Sequence, residues 1–108
     1  MTAPFMPLSD PPDVTAFLPM AEPLVTTYTD GRIDAGYCPY LYAASERRMT
    51  PDGTALLIGS AGMDGVEFAL KRGEPGVWIY HPYDDAWTTI APDIATFETL
   101  WLAGQITV

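Results

Sequence analysis

The chain has 108 residues, 48% hydrophobic and 12% aromatic, which sets it apart from disordered chains and makes it long enough to bury a core without disulfides or metals. Fourteen acids against five bases give a formal net charge of −9, and all five bases fall within residues 32–72. That field repels phosphate backbones and anionic lipid surfaces, so direct nucleic-acid or membrane binding is disfavoured and a basic protein is the natural partner; solubility alone is the plainer reading.

A single cysteine, Cys38, excludes an internal disulfide and fits a reducing compartment. No run nears the roughly 18 apolar residues of a membrane span. Met1 to Pro7 also lacks the basic start of a signal peptide, so a cytoplasmic location is expected.

In chain order, six prolines within residues 1–23 preclude a long helix there. Asp13 is placed to cap one short turn through Val14, Ala16, Phe17 and Leu18, which Pro19 stops. Leu24–Tyr28 is β-branched and aromatic, Asp30-Gly31 is a turn signal, and Arg32–Tyr37 reads as a returning strand, which predicts an N-terminal hairpin. Tyr37–Tyr42 is an aromatic cluster, and Ala43–Met49 reads as a helical turn or an exposed loop.

After the Pro51-Asp52-Gly53 turn the pattern sharpens. Ala55–Gly59 is a short buried strand, Ser60–Gly65 a glycine-bearing loop, and Val66–Leu70 an alternating strand with Val66, Phe68 and Leu70 on one side. Val77–Tyr80 returns after Gly73–Gly76, and Ala86–Ile90 follows the turn at Pro82–Asp85. Connections this short join only antiparallel neighbours, giving a four-stranded meander. Asp93 then caps a helix with Ile94, Phe97, Leu100 and Trp101 on one side and Gly104 at its C-terminal end. The expected fold is one α+β domain over residues 1–108: an antiparallel sheet, comprising the meander and the hairpin, with the C-terminal helix on one face.

The series Leu57–Leu70, Gly76–Tyr80 and Ile90–Leu100 resembles the SUKH superfamily, shared by fungal cell-wall-assembly regulators and bacterial toxin-immunity proteins. The likeness lies in an apolar strand ending in Ile58-Gly59, a glycine-rich acidic loop, a strand with Phe68, a Val-bearing strand and a helix built on Phe97 and Leu100. It covers roughly residues 54–103. Such domains open with a helical segment for which Val14–Leu18 is a faint counterpart, so the N-terminal helical part is shortened or rebuilt here. The resemblance implies a binding protein, in bacteria one that occludes a cognate toxin.

Candidate sites each carry a plainer reading. Trp78 and Tyr80 share one face of their strand and Trp87 lies on the next; that face is either packed or an aromatic patch for protein recognition. His81, Tyr83, Asp84 and Asp85 cluster at a turn, but no second His or suitably spaced nucleophile accompanies them, so a solvated acidic tip is expected and no catalytic residue, metal or cofactor. The loop 59–65 lacks the Lys of a phosphate-binding loop and reads as a bulged turn, with Asp64 and Glu67 left for an acidic contact surface. Arg47 and Arg48 read as solvated, or as pairing with acids of a second copy in a homodimer, and Cys38 as a packed small hydrophobe.

The expectation is a non-enzymatic immunity-type domain that neutralises a basic toxin or effector by occlusion. Its contact set is Asp64, Glu67, Trp78, Tyr80, Tyr83, Asp84, Asp85 and Trp87. The alternatives are a small acidic inhibitor, encoded by a mobile element, of a host nucleic-acid-processing machine, and a small-ligand domain with a pocket near His81 and Tyr83.

Overall fold

Every strand lies beside its predecessor in the sequence. In the computed structural model, which describes residues 14–106, β1 (Arg48–Met49), β2 (Ala55–Ser60), β3 (Glu67–Lys71), β4 (Glu74–His81) and β5 (Ala86–Ala91) form one antiparallel sheet in the order β1-β2-β3-β4-β5. The meander and the α+β architecture therefore stand as read. The proposed cap at Asp13 falls outside the described residues.

The N-terminal hairpin is corrected. Glu22–Thr26 forms a short helix, α1, with Pro23 in its first turn, and the only pairing near it is a single bridge between Arg32 and Leu41. The fifth strand of the sheet is β1, reached through a single 3-10 turn at Ala44–Glu46. Burial explains the outcome: α1 turns Leu24 fully inward, and Ala21 and Tyr28, which flank it, and Phe17, from the preceding 3-10 turn at Thr15–Phe17, are buried with it. The β-branched residues Val25 and Thr26 lie on the exposed side.

One face of the sheet carries the core. Leu56, Ile58, Phe68, Leu70, Val77 and Ile79 point to this side and meet α2 (Ile94–Leu102), whose Ile94 and Phe97 are fully buried. Phe68 is the hub, with its ring centroid 4.6 Å from Phe97 and 5.2 Å from Trp101. Asp93 caps α2 by accepting a 2.7 Å hydrogen bond from the Thr96 N–H. At the other end Gly104 adopts a left-handed φ of 71°, while the Gln105 N–H reaches back to the Leu100 carbonyl in the paired-bond pattern of a Schellman cap.

Segment 28–41 lies across α2 and is fastened there by side chains. The Tyr28 hydroxyl donates to Glu98 Oε1 at 2.8 Å, the Tyr40 hydroxyl to Oε2 at 2.7 Å, and Arg32 stands 3.6 Å from the same carboxylate. Trp101 Nε1 donates to Asp34 Oδ2 at 3.0 Å. Gly59 lets this layer settle onto β2. A Cβ at Gly59 would stand 1.9 Å from the Tyr40 carbonyl oxygen, so only glycine permits the approach.

Gly59→Ala must push residues 38–41 off the sheet, and we expect a loss of at least about 2 kcal/mol of unfolding free energy in urea titrations. A second expectation concerns alkali. Burial, reinforced by the carboxylates of Glu98 and Glu67, raises the phenols of Tyr28, Tyr40 and Tyr42, that of Tyr42 to about 12. A folded-state pKa above the unfolded value of ~10 favours the fold fully below pH ~10 and progressively less above it. Stability should be flat through neutral pH and fall between pH ~10 and 12, with phenolate absorbance and loss of circular dichroism rising together. Ionisation of all the tyrosines before any unfolding would contradict this.

Candidate functional site

Two neighbouring features bring together the residues singled out from the sequence. The first is the face of the sheet opposite α2. Trp78 lies beside Ala69 and Thr89, and Tyr80 beside Glu67 and Trp87, so the two aromatics share this face with Trp87. The Tyr80 and Trp87 rings stack at 4.5 Å with a 30° tilt. The Lys71 ammonium sits 4.6 Å from the Trp78 ring and 5.1 Å from that of Trp87. Under these groups Ala55, Leu57 and Ala69 are buried outside the main core, and no N-terminal hairpin covers them. Among the described residues no segment lies over this face, and Trp78, Tyr80 and Trp87 are each half-buried.

Across this face the sheet curls. The β1–β2 turn, Thr50–Thr54, forms one wall of a cleft of about 420 Å³ whose other wall is Tyr80, Asp85 and Trp87. The turn is tied down by Asp52 Oδ1, which accepts from the Thr50 hydroxyl at 2.7 Å, the Thr54 N–H at 3.0 Å and the Thr54 hydroxyl at 2.7 Å. These bonds, the Thr50 hydroxyl foremost, hold the Asp52 carboxyl down at about 2, so it is anionic at any physiological pH. On the opposite wall the Tyr80 hydroxyl donates to Asp85 Oδ1 at 3.2 Å.

The second feature is the end of the sheet where three loops meet. The Ser60 N–H donates to the Pro39 carbonyl, the Gly62 backbone passes close to Cys38, and Gly65 abuts Pro82. Loops 34–38, 61–65 and 82–85 thereby form one tip, which carries Tyr37, Met63 and Tyr83 at 86, 55 and 86% exposure beside Asp64, Asp84 and Asp85. Asp64 and Asp84 have no ion pair or side-chain hydrogen bond among the described residues. All three described non-glycine residues with left-handed φ sit here: Tyr37 at 64°, Asp64 at 54° and Asp85 at 49°. Asp34 builds the Tyr37 loop. Its Oδ1 accepts from the N–H groups of Gly36 and Cys38, and the Cys38 bond is the main reason its carboxyl lies below the ordinary range.

Some of the expected contact residues serve the fold instead. Glu67 is engaged on both oxygens, by Arg48 Nη2 at 2.6 Å and the Tyr42 hydroxyl at 2.7 Å, so it is not a free acid. The expectation that Arg47 and Arg48 are solvated fails for Arg47 and holds for Arg48, whose side chain stays largely exposed. Arg47 is buried and donates to the Tyr28 carbonyl at 2.7 Å, with its Nε lacking a hydrogen-bond partner, while Arg48 pairs with Glu67. Cys38 packs as read, donating weakly to the Ser60 carbonyl, and burial raises its thiol. Tyr37 and Met63 were absent from the expected contact set although both belong to the tip. No local pattern distinguishes them, because their loops meet only through the fold.

Among the described residues no group of three His, Cys, Asp or Glu side chains could hold a metal ion, and no helix is long and apolar enough to cross a membrane. Comparison with protein-family models, curated proteins and solved structures finds no match.

Tyr37 contributes an exposed ring from a backbone conformation that costs an L-residue of order 1–3 kcal/mol. Tyr37→Gly relieves that cost but makes the unfolded chain more flexible. We expect the unfolding free energy of the variant to match that of the parent or exceed it by up to about 1 kcal/mol in urea titrations. A clear loss would mean that the ring supports the fold rather than the surface.

Proposed function

We propose that this chain is a non-enzymatic protein-binding domain of the immunity type, which neutralises a basic toxin or effector by covering it. One observation carries the reading: four of the five bases are buried or paired, Arg72 alone standing exposed, while acids stand free beside exposed apolar side chains. Of the five bases, Arg32, Arg48 and Lys71 pair with Glu98, Glu67 and Glu74, and Arg47 is buried. Tyr37, Met63 and Tyr83, ringed by Asp64, Asp84 and Asp85, offer an anchor with a charged rim, the arrangement that favours recognition of a basic surface.

The likeness of the strand and helix pattern to SUKH domains supports the immunity-type assignment, since such domains act by occlusion rather than chemistry. The acidic field supports the choice of a basic partner, because like-charge juxtaposition selects against acidic ones.

Co-expression with the products of adjacent genes tests the proposal. A basic product should co-purify with the domain and lose its toxicity or activity. Its affinity should fall about tenfold or more from low to high salt, and Tyr37→Ser, Met63→Ser and Tyr83→Ser together should abolish capture without unfolding the domain. Capture of an acidic partner, capture unaffected by the triple substitution, or no complex with any adjacent product would each overturn it.

A further inference from the structure

We infer that the cleft between the β1–β2 turn and β4–β5 receives a guanidinium group, presented as an arginine side chain of the basic partner. The inference rests on the docking reading above and names the chemistry that completes it. The cleft combines two features that such a group needs. One is a planar aromatic wall, supplied by the stacked Tyr80 and Trp87 rings. The other is a pair of carboxylates facing the same space, Asp52 from the turn and Asp85 from the strand connection.

Each carboxylate commits only Oδ1 to the side-chain bonds that position it, which leaves both Oδ2 atoms without a partner among the described residues. Lys71 stands 3.8 Å from Glu74, Arg48 pairs with Glu67, and neither Asp52 nor Asp85 has an ion pair among the described residues; the exposed Arg72, whose N–H donates to the Thr54 carbonyl, is the one nearby base without a carboxylate partner there. The chain also shows that its aromatics accept a cation, for the Lys71 ammonium already rests over Trp78 and Trp87.

The geometry favours arginine over lysine. A guanidinium is planar, stacks on aromatic rings and donates in a fork that two carboxylate oxygens can share, whereas an ammonium is a compact and strongly hydrated point charge. The Thr50 and Thr54 hydroxyls are already used to hold Asp52, which fixes that wall before any ligand arrives. The volume of about 420 Å³ is ample for one such side chain. Asp85 also lies at the edge of the tip, so a partner seated on Tyr83 and Met63 has an arginine within reach of the cleft.

The test uses the intact domain and acetyl-argininamide, with acetyl-lysinamide and uncharged acetyl-norleucinamide as comparators, read by NMR. Acetyl-argininamide should give saturable shifts confined to residues 50–54, Tyr80, Asp85 and the Trp87 indole. Asp85→Asn, which keeps the left-handed backbone tolerated, should weaken binding about threefold to tenfold, and acetyl-lysinamide should bind more weakly. No shifts, shifts elsewhere, an equal response to acetyl-norleucinamide or equal affinity for acetyl-lysinamide would overturn the inference. Failure here with capture of the basic partner intact sinks the cleft alone. A cleft response without any protein capture supports the guanidinium site and sinks the docking reading.

Discussion

The carboxylate of Glu98 joins the two halves of the molecule. Residues 14–47 contribute no regular strand to the sheet; backbone bonds from Tyr42 N–H to the Ile58 carbonyl and from Ser60 N–H to the Pro39 carbonyl tie down residues 39–42, and the rest of the segment depends on side chains. Apolar packing of Phe17, Ala21 and Leu24 gives adhesion but little register, since it lacks direction. The direction comes from Glu98, which receives the hydroxyls of Tyr28 and Tyr40 on its two oxygens. Charge-assisted bonds of this type are worth about 1.5–3 kcal/mol each and are sensitive to angle. Trp101, one turn further along α2, adds the bond to Asp34 that fixes the loop bearing Tyr37. The tip therefore inherits its shape from the C-terminal helix, some 60 residues away in sequence.

How far the sequence could be read follows from the range of the interactions. The meander was legible because each of its turns is local: Gly73 and the Pro82–Asp85 segment mark reversals wherever the chain goes, although β4 already begins at Glu74 and takes Gly76 into the strand, and alternation selects the faces. α2 was legible for the same reason, since Asp93 and Gly104 act within a few residues of themselves. The segment at Leu24–Tyr28 was misread because β-branched Val25, Thr26 and Thr27 outweighed the inward-turned Leu24 and its buried neighbours. Tertiary burial overrode local propensity there. The placement of the candidate residues was half legible: the shared face of Trp78, Tyr80 and Trp87 follows from strand alternation, and the exposure of Tyr83 and Asp84 from turn composition. That Glu67 is neutralised by Arg48, and that Tyr37 and Met63 join Tyr83, depends on contacts no window of sequence contains.

The charge distribution has a structural origin as well as an external effect. Arg47 is buried with a backbone carbonyl for a partner and no carboxylate, a costly position that burial opposes by lowering its pKa. It ties the end of the Ala44–Glu46 turn to the segment after α1. With that base interior and three others paired, the acids that remain at the surface face solvent with little internal compensation. At ordinary ionic strength their field reaches roughly 8–10 Å, enough to orient an approaching basic surface toward the tip before contact.

Asp85 links the two surfaces. Its backbone, in a left-handed conformation at φ 49°, closes the turn that presents Tyr83, while its carboxylate lines the cleft and accepts from Tyr80. A group drawn into the cleft toward Asp85 therefore bears on the residue that sets the angle of the Tyr83 loop. Conversely, a partner that presses on Tyr83 biases where the Asp85 carboxylate points. If both proposed sites bind, their coupling would need no long pathway, because one residue belongs to both, and by linkage its effect on the two binding events would be equal. Because the strain at Asp85 is already present in the unbound fold, a partner would not have to supply it, and binding would select a conformation the chain already holds.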